Sequence, residues 1–386
     1  MKKAYILIIV ASSCIILFTV IWLLIYADVS PKIVPDVNYE INASDMSNTE
    51  QKPDAEAEAP QSVAPAPVIE KTSLNDTEKE NIENMLLYLT SLQPNITDGA
   101  SDFSQQVLLN YMWSYIMHNK YENISFTNYD NVYSYDELNT VLSATFNKTL
   151  QPEYDSLQIS SGWQQITDNT VKIDDTHDFN LGDIAIVSTN IEDDIINITA
   201  DIANCNWQLS SILRVTSQLR ANDQSPTGFS FISVSYSTIF SSKIIESIEA
   251  SSQLSASGDK KYSPENLIDN NNLTVWSEGA SGQGIREWIK FYPAKDTSFS
   301  AIGIANGNST STDDYYANSR VKSITVQLSG GISQKFELDD TGPMVNNTYM
   351  LLLGRDVQST WVKIIIDSVY EGEKTQNTCI SDIKIF

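Results

Sequence analysis

Cysteine and histidine are nearly missing from this sequence of 386 residues, three of the first and two of the second. Cys14 lies in an apolar run near the N-terminus, while Cys205 and Cys379 fall in segments of different character, so neither a disulfide framework nor a three-cysteine metal site is expected. His118 and His177 alone exclude a His-rich zinc site. Positive charge is scarce too: 24 Lys plus Arg stand against 49 Asp plus Glu, a formal net charge of -25. Nucleic acid would be bound against that field, which excludes it as a partner. No strong nucleophile-and-base motif occurs either, which favours binding over catalysis. What is present is ample apolar material, 41% of the residues, enough for ordinary cores in two or three domains.

Residues 1–3 form a short basic stub, and 4–27 read AYILIIVASSCIILFTVIWLLIYA without a charge. About 20 apolar residues span a bilayer, more than a cleaved signal needs, so a retained transmembrane anchor is predicted. Lys2 and Lys3 before the run and Asp28 after it place the N-terminus in the cytoplasm and the remainder outside the cell membrane, as a single-pass protein. The alternative is a signal cleaved after Ala27. Residues 28–73 are rich in Ala, Pro, Glu and Ser and carry no sustained period, which predicts a disordered acidic linker.

From 74 to 243 an α+β domain is expected, helices first and an antiparallel sheet after them, in an order that suits a cystatin-like or nuclear-transport-factor-like cone. Asn75 with Glu78 and Ser134 with Glu137 mark two helix starts, and a third helix is expected from about Asp102. Apolar stripes such as Ile82, Met85, Leu86 and Leu89 read as core rather than as a cofactor box. In DIINITADIAN, Ile196, Ile198, Ala200 and Ile202 alternate onto one face, as a half-buried strand requires. His118, near a helix end, reads as a C-terminal cap; His177 and Asp174, Asp175 and Asp178 read as a solvated acidic loop.

Residues 244–386 carry short strands, IREWIKF, FSAIGIA, VKSITVQL, ISQKFEL, NTYMLLL, TWVKIIID and CISDIKIF, with turn residues between them and no amphipathic helix. That spacing predicts an all-β jelly roll of about eight strands. Loops gather at the ends of such a sandwich, so Asp269 to Trp276, Asp313 to Arg320 and Tyr370 to Thr378 are expected to share a rim. A sugar offers a C–H face that packs on an aromatic ring and hydroxyls that want planar polar groups. Tyr315 and Tyr316 supply rings, with Asp313, Asp314, Asn318 and Arg320 as hydrogen-bonding neighbours and Trp276 and Tyr370 as further aromatics. Each has a bland rival: Trp276 and Trp288 as core, Arg320 as a partner of Asp269 or Glu278, Tyr370 as a plug at the sandwich base. The oxygen-rich loop DNNNLT makes Asp269 a weak candidate ligand for a structural calcium, although the spacing is no EF-hand. No other cofactor is expected.

The string SASGDKKYSPENLIDNNNLTVWSEGASGQGIREWIKF, with Asp269, Thr274, Trp276, Glu287, Trp288 and Ile289, resembles the opening of the discoidin-like, or galactose-binding-like, fold. With Asn306-Gly307, YYANSRVKSI and the ending SVYEGEK...TCISDIKIF it is similar to the glycan-binding, or translocation, domain named after secreted bacterial NAD glycohydrolases. The resemblance covers about the last third of the chain. It implies a jelly roll that binds glycan or cell-wall polysaccharide, and it does not bring NAD cleavage, which resides in a separate domain of the namesakes. Two strings depart from the pattern: Asn308 stands where an aromatic is expected, and Lys374-Thr375-Gln376-Asn377 replaces a Lys-Tyr-x-Asp-like string.

The first reading is therefore a membrane-anchored, non-enzymatic bacterial surface protein that displays a glycan-binding jelly roll. A second is an extracytoplasmic sensor or envelope assembly factor whose middle domain binds a protein partner, marked by an exposed apolar patch there. A third is a glycosidase, marked by a carboxylate pair across a cleft.

Overall fold

The structure, a computed structural model, describes residues 73–90, 99–100, 103–121, 131–151, 163–167, 169–173, 181–204, 211–239, 241–258, 260–340, 342–343 and 348–386. All of these belong to one compact unit, Pro67–Phe386. The expected anchor at 4–27, the linker at 28–73 up to its last residue, His177 and its acidic loop lie outside the described residues. Among the described residues no helix is long and apolar enough to cross a membrane.

Three helices open the unit. Helix α1, Asp76–Thr90, begins as its sequence dictates: Asn75 Oδ1 accepts from the Glu78 amide at 2.9 Å and the Glu78 carboxylate accepts from the Asn75 amide at 2.9 Å. Helix α3, Tyr135–Phe146, repeats the device with Ser134 and Glu137 and ends at Asn147 in the left-handed conformation. Helix α2, Gln105–Tyr121, starts three residues later than its apolar stripe suggests, because Phe103 is itself left-handed at φ 50°. The buried faces meet through aromatic edges, Tyr88 on Tyr111 at 5.7 Å and Tyr111 on Phe146 at 4.8 Å between ring centroids. Such contacts add about 0.5–1.5 kcal/mol each to the area they bury. His118 packs its ring 5.4 Å from that of Tyr88, so a ring contact accompanies its place one turn before the helix end.

The helices cover one face of a five-stranded antiparallel sheet of strand order β1-β8-β7-β6-β5, formed by β1 Gly99–Ala100, β5 Asp183–Glu192, β6 Ile195–Ala203, β7 Ile212–Ala221 and β8 Phe229–Ile239. Ile196, Ile198, Ala200 and Ile202 all face that core, as the alternation required. A small three-stranded ribbon, β2 Val132–Ser134, β3 Trp163–Thr167 and β4 Thr170–Ile173, is not among the expected elements. Strands this short do not reveal a period of two.

From Ile245 onward nine strands build a second, larger sheet: β9 Ile245–Ala250, β10 Trp276–Ser277, β11 Trp288–Pro293, β12 Ser298–Asn306, β13 Ser319–Leu328, β14 Ser333–Glu337, β15 Tyr349–Gln358, β16 Val362–Tyr370 and β17 Thr378–Ile385. Its main path runs β15-β12-β17-β13-β16-β11-β9, with β10 on β17 and β14 on β13. Among the described residues β13 and β17 make its one parallel pairing. Its core gathers Trp276, Ile289, Phe291, Ile304, Ile324, Ile364 and Ile380, so this part is jelly-roll-like and the described protein is mostly β. One feature departs from expectation. A short helix, α4 Thr312–Ala317, interrupts the strands at the DDYYA string itself.

The two sheets touch. Ala203 and Ile212 of the first pack with Ala301, Met350, Leu352 and Phe386 of the second, which is why the end of β6 is buried on both faces. The Asn204 carboxamide donates to the Met350 carbonyl at 2.9 Å and accepts from the Met350 amide at 2.9 Å, as a neighbouring strand would. Arg214 lies between Asp201, which is 1% exposed, and Asp356, at 2.8 and 2.9 Å. The guanidinium's proton is held more firmly than usual, chiefly by the hydrogen bond to Asp201.

Candidate functional site

Strand β12 ends at Asn306, and the chain must then turn sharply toward β13. Gly307 makes that turn at φ 75°, and a Cβ there would lie 2.7 Å from the Tyr315 ring and 2.8 Å from Arg320. Glycine is required on both counts. Ser311 then caps α4 by accepting from the Asp314 amide at 3.0 Å. The Asp314 carboxylate accepts from the hydroxyls of Ser311 at 2.9 Å and Thr310 at 3.0 Å, and the Ser311 bond does most to hold it below the usual carboxylate range. At the other end Asn318 donates to the Asp314 carbonyl at 2.8 Å. The helix is one turn long and is pinned at both ends by its own polar residues.

Residues 371–377 lie against that turn. The Glu373 amide donates to the Tyr316 carbonyl at 2.9 Å, the Thr375 amide to the Ala317 carbonyl at 2.9 Å, and the Thr375 hydroxyl to Asn318 Oδ1 at 3.0 Å. Gly372 permits the approach, since a Cβ there would meet the Thr375 carbonyl oxygen at 2.4 Å. A third segment joins when Gln283 donates to Glu371 at 2.8 Å and Thr378 to the Gln283 carbonyl at 2.7 Å. Segments 278–287, 307–318 and 371–377 therefore share one rim.

At the centre of the rim the two tyrosines part company. Tyr315 is 1% exposed and its hydroxyl donates to Asp340 at 2.9 Å. Tyr316 is 38% exposed and meets the Tyr315 ring edge-on at 5.1 Å. Beneath them Arg320 places its guanidinium carbon 5.1, 5.4 and 5.9 Å from the ring centroids of Tyr315, Tyr316 and Tyr370. It donates to both oxygens of Asp340 at 3.2 and 2.5 Å and to the carbonyls of Asn318 and Glu371. Burial works to raise the Asp340 carboxyl, but the bonds from Arg320 and Tyr315 outweigh it and leave the group below its usual range. Burial and the anionic Asp340 together push the Tyr315 hydroxyl well up. The Tyr370 hydroxyl donates to the Leu338 carbonyl at 2.9 Å and closes the floor. A buried cation, its partly exposed carboxylate partner and the rings of Tyr315 and Tyr370 thus support one exposed ring, whose face and flanking polar groups can take the apolar side and the hydroxyls of a sugar.

Of the residues singled out from the sequence, Asp314, Tyr315, Tyr316, Asn318, Arg320 and Tyr370 come together here. Trp276 does not: it is fully buried and its indole N–H donates to the Ser252 carbonyl at 3.0 Å, so it is a core residue and no platform for a ligand. Arg320 pairs with neither Asp269 nor Glu278 but with Asp340, which the sequence reasoning did not name. Glu278 is buried with its carboxylate accepting from the amides of Ala280 and Thr378, at 2.7 and 3.3 Å, and burial raises its pKa. Its bonds tie the segment after β10 to β17. Asp269 closes its own turn, accepting from the Asn271 amide at 2.9 Å and the Thr274 hydroxyl at 2.8 Å. Among the described residues no group of three or more His, Cys, Asp or Glu side chains is arranged to hold a metal ion. Asn308, at the departure noted above, accepts from the Thr310 amide at 3.2 Å and caps its own turn.

Residues 239–386 match the family described as the NAD glycohydrolase translocation F5/8 type C domain. No curated protein matches the sequence. Among solved structures, the chain is similar to CBM32 of AlyQ in complex with 4,5-unsaturated mannuronic acid, at 17% identity over 38% of this chain and 98% of that one, with a TM-score of 0.28. It is also similar to the family 32 carbohydrate-binding module of NanJ from C. perfringens in complex with galactose, at 13% identity over 36% and 91%, TM-score 0.27. A third is CBM32-3 from a family 31 glycoside hydrolase of Clostridium perfringens, at 12% identity over 37% and 90%, TM-score 0.29.

Proposed function

We propose that this chain is a non-enzymatic carbohydrate-binding protein that takes its ligand at the rim, stacked on Tyr316. The observation that carries the reading is the contrast between the two neighbouring tyrosines: Tyr315 is locked inside, while Tyr316 is 38% exposed over Arg320, its partner Asp340 and the rings of Tyr315 and Tyr370. The match of residues 239–386 to the discoidin-like translocation family supports the same reading. Asp313 stands on the same short helix, and Asn318, Glu373 and Thr375 border the turn that carries Tyr316. The uncharged run at 4–27 and the acidic spacer at 28–73 support display outside a membrane, tethered by the N-terminus.

The sensor reading calls for an apolar patch on the upstream domain. Among the described residues of 74–243 a single large apolar side chain, Ile232, counts as exposed, which leaves that reading without its support.

The test is a glycan array probed with the full chain and with Tyr316→Ala. Glycan signals present in the parent and lost in the variant are the expected result. An array on which the parent binds no glycan, or on which Tyr316→Ala keeps every signal of the parent, would overturn the rim as the site.

A further inference from the structure

The solvent face of the second sheet carries a feature that the rim does not use. Alternation along β11 turns Ile289, Phe291 and Pro293 inward and leaves Trp288, Lys290 and Tyr292 half-buried on the outside. On β16 Val362 and Ile364 turn inward and Lys363 and Ile365 outward, with half-buried Trp361 just before the strand. Register sets Lys290 directly across from Lys363 and Trp288 directly across from Ile365. Lys363 Nζ rests 4.4 Å from the Trp288 ring centroid, and Lys290 Nζ lies 5.1 Å from those of both Tyr292 and Trp361. Three rings and two ammonium groups thus alternate over two neighbouring strands.

Two like charges directly opposed on adjacent strands weaken a sheet. Here the pair stands in a chain with twice as many acidic as basic residues, 49 against 24. Neighbouring carboxylates answer it only in part. Glu249 lies 3.8 Å from Lys290, but the same oxygen accepts from the Tyr292 hydroxyl at 2.7 Å. Asp367 accepts from the Thr325 hydroxyl at 2.7 Å, and Lys363 makes no ion pair among the described residues. The contacts to the rings steady the ammonium groups without neutralising them. The ring contacts leave the repulsion between the two ammonium groups in place, and an anion seated between them would relieve it.

We propose that this ladder is a second ligand surface, for a polysaccharide that carries uronate carboxylates. The rings offer faces to pyranose C–H surfaces, and the lysines between them meet a carboxylate as point charges. Trp288 to Tyr292 spans four residue steps, about 13 Å, room for consecutive sugar units. The rings lie flush and half-buried, which suits a flat sugar chain rather than insertion into a lipid surface. Along β16, Lys363 stands seven residues from Tyr370 at the rim, roughly 23 Å away. At the rim Asp339 and Asp340 stand near Tyr370 and Asp314 sits on the short helix, with Arg320, Lys322 and Lys374 close by, so positive charge there is answered by carboxylates as it is not between Lys290 and Lys363. The two surfaces would sort ligands by charge, and the ladder stands whether or not the rim finds a sugar.

The test is affinity electrophoresis of the full chain through polygalacturonate and, separately, through neutral dextran. Polygalacturonate is expected to retard the parent, the more so at low salt. Lys290→Gln combined with Lys363→Gln should weaken that retardation by about tenfold or more, since both charges that meet the polymer are gone. Relief of the like-charge repulsion offsets the loss of the ring contacts, so the double variant should melt within a few degrees of the parent, and lost binding is then not lost folding. A parent unretarded by polygalacturonate, equal retardation by dextran, or full retardation of the double variant overturns the proposal. So does capture by anionic phosphatidylserine vesicles without retardation by polygalacturonate.

Discussion

Arg320 and Asp340 face each other directly across the extension of the β13–β14 hairpin, joined by two contacts of 3.2 and 2.5 Å. The register explains the meeting: Ser323 pairs with Glu337 and Leu338 donates to the Lys322 carbonyl, so the same ladder carried two residues further sets 320 opposite 340. Only 6% of the Arg320 side chain is exposed, against 27% for Asp340.

A pH dependence follows. The Asp340 carboxyl titrates below its ordinary value in the folded protein, so its contribution is complete above the unfolded pKa of about 3.9 and is lost as pH falls below it toward the folded pKa. Chemical denaturation from about pH 6 down to about pH 2 should show an acid limb that Asp340→Asn diminishes. An unchanged limb in that variant would assign acid sensitivity to other carboxylates.

The adjacent tyrosines should behave unequally. Tyr316→Ala removes a partly exposed ring with its edge contact to Tyr315 and its contact to Arg320, and should cost about 1–2 kcal/mol. Tyr315→Ala empties a fully buried site and should cost about 3–5 kcal/mol. Tyr315→Phe keeps the ring and loses only the bond to the Asp340 carboxylate, at about 1.5–3 kcal/mol. Urea melts of the three variants check the order, and a Tyr316→Ala cost equal to that of Tyr315→Ala would place both rings in the core. A double alanine variant at these positions therefore cannot separate binding from folding.

Much of this was legible in the sequence where the signal is local. The capping pairs at Asn75 and Ser134, the alternation of Ile196 to Ile202 and the order of strands after Ile285 each lie within a few residues of the structure they specify. Helix α4 was missed because one turn holds no period; its only mark is Ser311 three residues before Asp314. Asp340 was missed because its position opposite Arg320 depends on hairpin register, and Asn204 on Met350 because the partners are 146 residues apart. Trp288 was weighed as core on residue type alone, although the alternation in WIKFYP already turned it outward with Lys290 and Tyr292.

Cys379 should be inert in the folded chain. It is a free, buried thiol in β17, and burial pushes its pKa up to about 12, so almost none is thiolate at neutral pH. With Cys14 and Cys205 replaced by Ser, iodoacetamide at about pH 8 should leave Cys379 unlabelled in the native chain and label it promptly in denaturant. Rapid native labelling would mean that the edge of β17 beside the rim opens readily.

The two sheets should unfold together because Arg214 ties them. It pairs with the buried Asp201 in its own sheet and reaches Asp356 of β15, while Asn204 and the cluster around Met350 and Phe386 complete the contact. Arg214→Ala leaves Asp201 buried without its cation and should cost about 3–5 kcal/mol. Asp356→Ala removes a half-exposed partner and should cost less than about 1 kcal/mol. Joint unfolding also predicts one cooperative transition in the parent, followed by heat capacity and by tryptophan fluorescence alike, with the transitions separating in Arg214→Ala. Two resolved transitions in the parent would mean that the contact between the sheets contributes little, and that the jelly-roll-like part can be studied as an isolated fragment.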